Sequence, residues 1–203
     1  MLPLVESIAV IASAIYGILL ACRKEMDVVG VIAVAFAVAF GGGTLRDLCL
    51  DRTPLFWIAN DHYVMLVMGI AIVGSFIPHL IDHTKRFLDI PDAVGMGLFS
   101  ITGAGYAMEA GTSIFIAAIL AVVTGTFGGV IGDIICNEIP SLFRPAPIYA
   151  TCSFVGAWVF LLLEKTPIDH TYSVLAGVAT IVALRLAGLK WNLAFKATRA
   201  SGD

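Results

Sequence analysis

Seven stretches of the chain, roughly 5–22, 28–48, 61–80, 91–109, 113–134, 147–163 and 171–189, are mostly apolar for 17 to 22 residues at a time. A bilayer core about 30 Å thick calls for about 20 such residues per helix. Lipid offers the backbone no hydrogen-bond partner, so each stretch must satisfy its own amides and carbonyls as a helix. The expected fold is all-α and integral to a membrane, with seven transmembrane helices. Composition agrees: 59% of the 203 residues are hydrophobic and 13% charged, against about 25% charged in soluble domains. Mean hydropathy is +0.95.

The same numbers exclude other classes. A net charge of −3 without a basic tract argues against nucleic-acid binding. Cys22, Cys49, Cys136 and Cys152 stand singly in or beside apolar runs and read as small buried hydrophobes, so no metal site and no cofactor are expected. The segment MLPLVESIAV lacks a basic leader and a small-residue cleavage site and reads as the first span. No His, Asp or Ser nucleophile set converges at one depth, so an enzyme is not expected. Lys and Arg divide nine to three between alternate sides. Arg23, Lys24, Lys85, Arg86, Arg144, Arg185, Lys190, Lys196 and Arg199 stand against Arg46, Arg52 and Lys165. The positive-inside rule then places the N-terminus outside and the C-terminus in the cytoplasm.

A shift of 86 residues aligns the chain with itself. Gly42-Gly43-Thr44-Leu45-Arg46-Asp47 falls on Gly128-Gly129-Val130-Ile131-Gly132-Asp133, Pro54 on Pro140, Gly17 on Gly103, and Glu6 on Asp92. Each unit holds three spans. Three is odd, so the second unit must enter the membrane from the opposite side. Residues 1–86 and 87–163 are therefore expected as inverted three-helix repeats, with 164–203 as a seventh helix and a basic tail. In such a plan the site lies at the repeat interface.

Glycine costs about 1 kcal/mol relative to alanine inside a helix. Gly41, Gly42 and Gly43 in span 2, and Gly128 and Gly129 in span 5, predict kinks that free backbone carbonyls near the bilayer centre, with close helix packing alone as the alternative. Gly42 falls about 21 Å into its span, about 6 Å past the midplane. With the hydroxyls of Thr44, Thr124 and Thr126, those carbonyls would suit monovalent cations. Arg46, Asp47 and Asp133 stand just beyond the glycines as charged, gating candidates. Arg46 is not expected to face its neighbour Asp47, since adjacent helical side chains diverge, and Asp133 or Asp51 is its expected partner. Ser13, Tyr16, Ser100 and Thr102 are secondary pore-lining candidates. Phe56, Trp57 and Tyr63 are expected in an interfacial aromatic belt.

"FGGGTLRDLCLDRTPLFW" with its second copy "GTFGGVIGDIICNEIPSLFR" resembles the bacterial two-repeat membrane family labelled a glycine-transporter domain, which is similar to the prokaryotic trimeric intracellular cation (TRIC) channels. The resemblance covers nearly all of spans 1 to 6. It implies a seven-helix protomer and a homotrimer in a prokaryotic inner membrane. It also implies one pore per protomer between spans 2 and 5, permeable to K+ and other monovalent cations. Permeant K+ or Na+ and membrane lipid are the implied partners, with a specific bound lipid left open. The chain departs from the pattern at Gly132, where many relatives carry a second arginine. A secondary transporter for a small zwitterion such as glycine stays open as the alternative, because alternating access uses the same inverted repeat.

Overall fold

A computed structural model describes residues 2–77, 88–143 and 148–194. Among these the chain forms α1 (Leu2–Cys22), α2 (Val28–Cys49), α3 (Phe56–Ala59), α4 (Asp61–Ser75), α5 (Asp89–Glu109), α6 (Ile114–Ile135), α7 (Ala150–Leu163) and α8 (His170–Trp191), with no strand. Each expected span has a helix, and α3 is an added single turn after Pro54. Helices α1, α2, α6 and α8 are long and apolar enough to cross a membrane. Helices α4 and α7 are apolar but shorter, at 15 and 14 residues. Helix α5 has the length, but Asp89 and Asp92 sit in its first turn. Lys85, Arg86, Arg144, Lys196 and Arg199, which carry much of the expected charge asymmetry, lie outside the described residues.

Two apolar cores divide the helices. Val10 and Ala14 of α1, Val31 and Val34 of α2, and Val67 and Ala71 of α4 build one. Ala104 of α5, Ala117 and Ala121 of α6, Phe160 of α7, and Val174 and Ile181 of α8 build the other. The abundance of alanine in both lets helices approach closely, which drives packing where lipid removes the hydrophobic contrast.

Local structure repeats at the 86-residue interval. Asp27 accepts from the Gly30 amide at 2.8 Å to start α2, and Ser113 accepts from the Ile116 amide at 3.3 Å to start α6. Left-handed residues precede both caps, Glu25 at φ 54 and Gly111 at φ 76. At the far ends, Leu50 N donates to Arg46 O and Cys136 N to Gly132 O, both at 3.0 Å, ahead of left-handed Asp51 and Asn137. An N-cap side chain contributes about 1 kcal/mol. Asp27→Ala and Ser113→Ala are each expected to lower the melting temperature of the detergent-solubilised protein. Asp27→Ala should have the larger effect, because its bond is shorter.

The glycines follow the packing alternative and not the unwound one. Helices α2 and α6 remain α-helical through Gly41–Gly43 and Gly128–Gly129, so the unwinding and freed carbonyls do not occur. The glycines serve contact instead. A Cβ on Gly42 would lie 2.1 Å from the Thr124 carbonyl oxygen, and one on Gly128 would lie 2.3 Å from that of Val38. Gly43 meets the Phe56 ring, and Gly41 meets Ile131. Backbone-to-backbone packing of α2 on α6 thus overrides poor helix propensity.

Candidate functional site

Helices α1, α2, α5 and α6 enclose a small cavity of about 10 Å³, room for a single water. Ser13, Tyr16, Val38, Asp92, Met96, Phe99, Thr124, Gly125, Gly128, Gly129 and Tyr149 line it. Five of the sequence-predicted residues therefore meet here: Ser13, Tyr16, Thr124, Gly128 and Gly129. The Thr124 hydroxyl donates to Leu120 O at 2.6 Å, which leaves its oxygen lone pairs available as acceptors. The other candidates are engaged elsewhere. Ser100 Oγ pairs with Ser153 Oγ at 2.7 Å, and Thr102 donates to Phe99 O at 3.0 Å. Thr126 donates to Val122 O at 2.7 Å, and Thr44 accepts from Trp57 Nε1 at 3.0 Å. Gly41, Gly42 and Gly43 form the α2 side of the crossing but do not line the cavity.

Asp92 gives the cavity its carboxylate. Its Oδ1 accepts from the Tyr149 hydroxyl at 3.0 Å, and its Oδ2 from Arg185 Nη2 at 3.2 Å. Arg185 also donates to Ile148 O at 3.2 Å, and its guanidinium lies 4.5 Å from the centre of the Tyr149 ring. The sequence grouped Arg185 with the basic residues of one membrane side, but the structure buries it against Asp92.

A second buried charge cluster stands where the first helix begins. Arg46 is fully buried. Its Nη1 donates to Glu6 Oε1 at 3.1 Å and its Nε to Asp47 Oδ1 at 2.8 Å. Neither Asp133 nor Asp51 is its partner. The spacing rule governs Cβ directions, about 100° apart for neighbours. The long arginine stem turns back across that angle and presents Nε, not its tip, to Asp47. Arg46 also lies over the Phe56 ring at 5.1 Å and the Tyr106 ring at 4.3 Å, and Arg52 over Tyr106 at 3.9 Å. Asp47 and Asp133 hold the turns that follow their helices. Asp47 Oδ2 accepts from Phe56 N at 2.8 Å, and Asp133 Oδ2 from Ser141 N at 2.9 Å. Phe56 and Tyr63, expected at an interface, are buried in the first core.

Sequence reasoning missed Glu6, Asp92, Tyr106, Tyr149 and Arg185 as site residues. The matched positions of Glu6 and Asp92 were the available signal: two acids 86 residues apart, each at the start of an apolar stretch. Arg185 offered no such signal, because α8 lies outside both repeats.

The family model described as Glycine transporter matches the chain twice, at residues 4–79 and 89–165. The UPF0126 inner membrane protein YadS of Escherichia coli (strain K12) is 34% identical over 187 residues, which is 89% of this chain and 87% of that protein. Among solved structures, the TRIC trimeric intracellular cation channel orthologue from Rhodobacter sphaeroides superimposes with a TM-score of 0.89 at 37% identity, covering 95% of this chain and 98% of that one. A prokaryotic TRIC channel crystallised in 0.5 M KCl gives a TM-score of 0.87 at 30% identity, covering 94% of this chain and 96% of that one.

Proposed function

The chain belongs to the glycine-transporter family, UPF0126, and from that membership we propose that it is a K+-permeable cation channel of a bacterial inner membrane. The observation that carries this reading is the acceptor-lined cavity beside the α2–α6 crossing, in a fold whose solved relatives are cation channels. Ser13, Tyr16, Thr124 and Asp92 offer oxygen atoms in place of a hydration shell. At about 10 Å³ the cavity has room for a single water. Opening would rearrange hydrogen bonds or bend α6 at Gly128 and Gly129.

The finer picture follows the resemblance. The protomer would cross the membrane seven times, with residues 1–86 and 87–163 as inverted halves and 164–203 as the added helix and tail. Three copies would assemble, each with its own pore, with the N-terminus outside, the C-terminus in the cytoplasm and lipid at the protein surface. The many large apolar side chains exposed on α4 and α6, Met65, Met68, Ile72, Phe115 and Ile116 among them, support a surface solvated by acyl chains or by other copies.

A zwitterion transporter is the second reading. It is favoured by the family's description and by the pairing of Asp92, which lines the cavity, with the oppositely charged Arg185 behind it. Reconstitution separates the two. Purified protein in planar bilayers under a KCl gradient is expected to give unitary currents that reverse near the K+ potential. Saturable glycine uptake into liposomes with no unitary current would overturn the channel reading in favour of the transporter.

A further inference from the structure

Several residues of the buried clusters recur between the two halves of the chain, but the arginine does not. Glu6 and Asp92, Tyr63 and Tyr149, and Asp47 and Asp133 stand 86 residues apart, but Arg46 stands opposite Gly132. The first half balances its acid internally, since Arg46 of α2 donates to Glu6 of α1 at 3.1 Å. The second half cannot do the same. Gly132 has no side chain, and a Cβ there would come within 2.5 Å of Val38 Cγ2 and 3.2 Å of Leu20 Cδ2. An arginine on α6 at that position would require the Val38 and Leu20 side chains to shift.

Asp92 is paired nonetheless. Arg185 reaches it from α8, 93 residues along the chain, at 3.2 Å. The surroundings of Asp92 resemble those of Glu6, although the tyrosines are not counterparts at the 86-residue interval. Arg46 lies 4.3 Å from the Tyr106 ring, and Arg185 lies 4.5 Å from the Tyr149 ring. Each tyrosine hydroxyl donates to the acid of its own cluster, Tyr106 to Glu6 at 3.4 Å and Tyr149 to Asp92 at 3.0 Å. Only the second cluster reaches the central cavity: Asp92 and Tyr149 line it, whereas Glu6 and Tyr106 do not.

We propose that Arg185 of α8 replaces the arginine missing at Gly132 and, as a positioning residue, orients Asp92 and offsets its charge at the cavity wall. Helix α8 is then part of the conduction machinery and not an accessory helix. The inference rests on the channel reading. It gives a signature that a purely structural tether would not: the two partners of the pair act on permeation with opposite sign. A lone carboxylate beside a narrow, low-dielectric path draws cations in, and a lone guanidinium repels them.

The test uses the full-length protein in planar bilayers under a KCl gradient, together with thermal melts in detergent. Arg185→Met is expected to raise the K+ to Cl− permeability ratio and Asp92→Asn to lower it, each by roughly fivefold or more. The double variant should return to within about twofold of wild type, and Arg185→Lys should keep the wild-type ratio. In the melts each single variant should lose stability and the double should recover most of it, because removing one partner strands a buried charge. Shifts of both single variants in the same direction, or no shift in either, would overturn the proposal. So would additive stability losses, or a double variant that fails to fold. Should the wild type pass no current, the channel reading falls by itself, and the melting cycle alone decides whether Arg185 and Asp92 act as a pair.

Discussion

Gly42→Ala and Gly128→Ala are each expected to abolish K+ current and to lower the melting temperature sharply. The added methyl group has nowhere to go. At Gly42 it would lie 2.1 Å from the Thr124 carbonyl oxygen, and at Gly128 2.3 Å from that of Val38. Both obstacles are backbone atoms of the facing helix, which cannot rotate aside as a side chain can. Overpacking of a close-packed interior costs about 1–3 kcal/mol and sometimes more, and here the only relief is separation of α2 from α6. Gly69→Ala is the matched control. Nothing lies within 4 Å of a Cβ there, and alanine favours the helix by about 1 kcal/mol, so current and melting temperature should hold or rise. Wild-type melting and current in Gly42→Ala would show that the crossing is not tight in the membrane.

The second large effect is expected from Arg46→Met. Arg46 is fully buried and serves two acids, Glu6 at 3.1 Å and Asp47 at 2.8 Å. Methionine preserves much of the volume and removes the charge. Breaking a buried pair from one side costs about 3–5 kcal/mol, because the stranded charge has no water to return to. Arg52, at 3.6 Å from Asp47 and partly exposed, compensates only weakly. Adding Glu6→Gln to Arg46→Met should recover part of the loss, and chemical denaturation in detergent measures both steps. An Arg46→Met protein as stable as wild type would mean that water or lipid reaches this cluster.

The fold was largely legible because lipid imposes a simple length rule. Every apolar stretch of 17 residues or more has its helix, and α2 and α6 carry the same caps 86 residues apart. Helix α3 was missed because a single turn leaves no periodicity to detect. The site was harder to read for two physical reasons. Three consecutive glycines report only that the side chain is absent. They do not say whether the freed space is used by a bend or by a neighbouring backbone, and here it is the neighbour. Charge pairing is set by tertiary distance, so spacing along one helix misjudged Arg46 and could not reach Arg185. The acids were the better guide, since Glu6 and Asp92 each sit at the start of an apolar stretch and both proved to anchor a buried cluster.

The place of Arg185 also bears on how the protein is made. Chains emerge from the ribosome at about 5–20 residues per second. Glu6 waits 40 residues for Arg46, but Asp92 waits 93 for Arg185. That interval is roughly 5 to 20 seconds at those rates, during which α6 and α7 are synthesised. Until α8 is made, the second half of the protein therefore has the Tyr149 hydroxyl for Asp92 but not the Arg185 guanidinium.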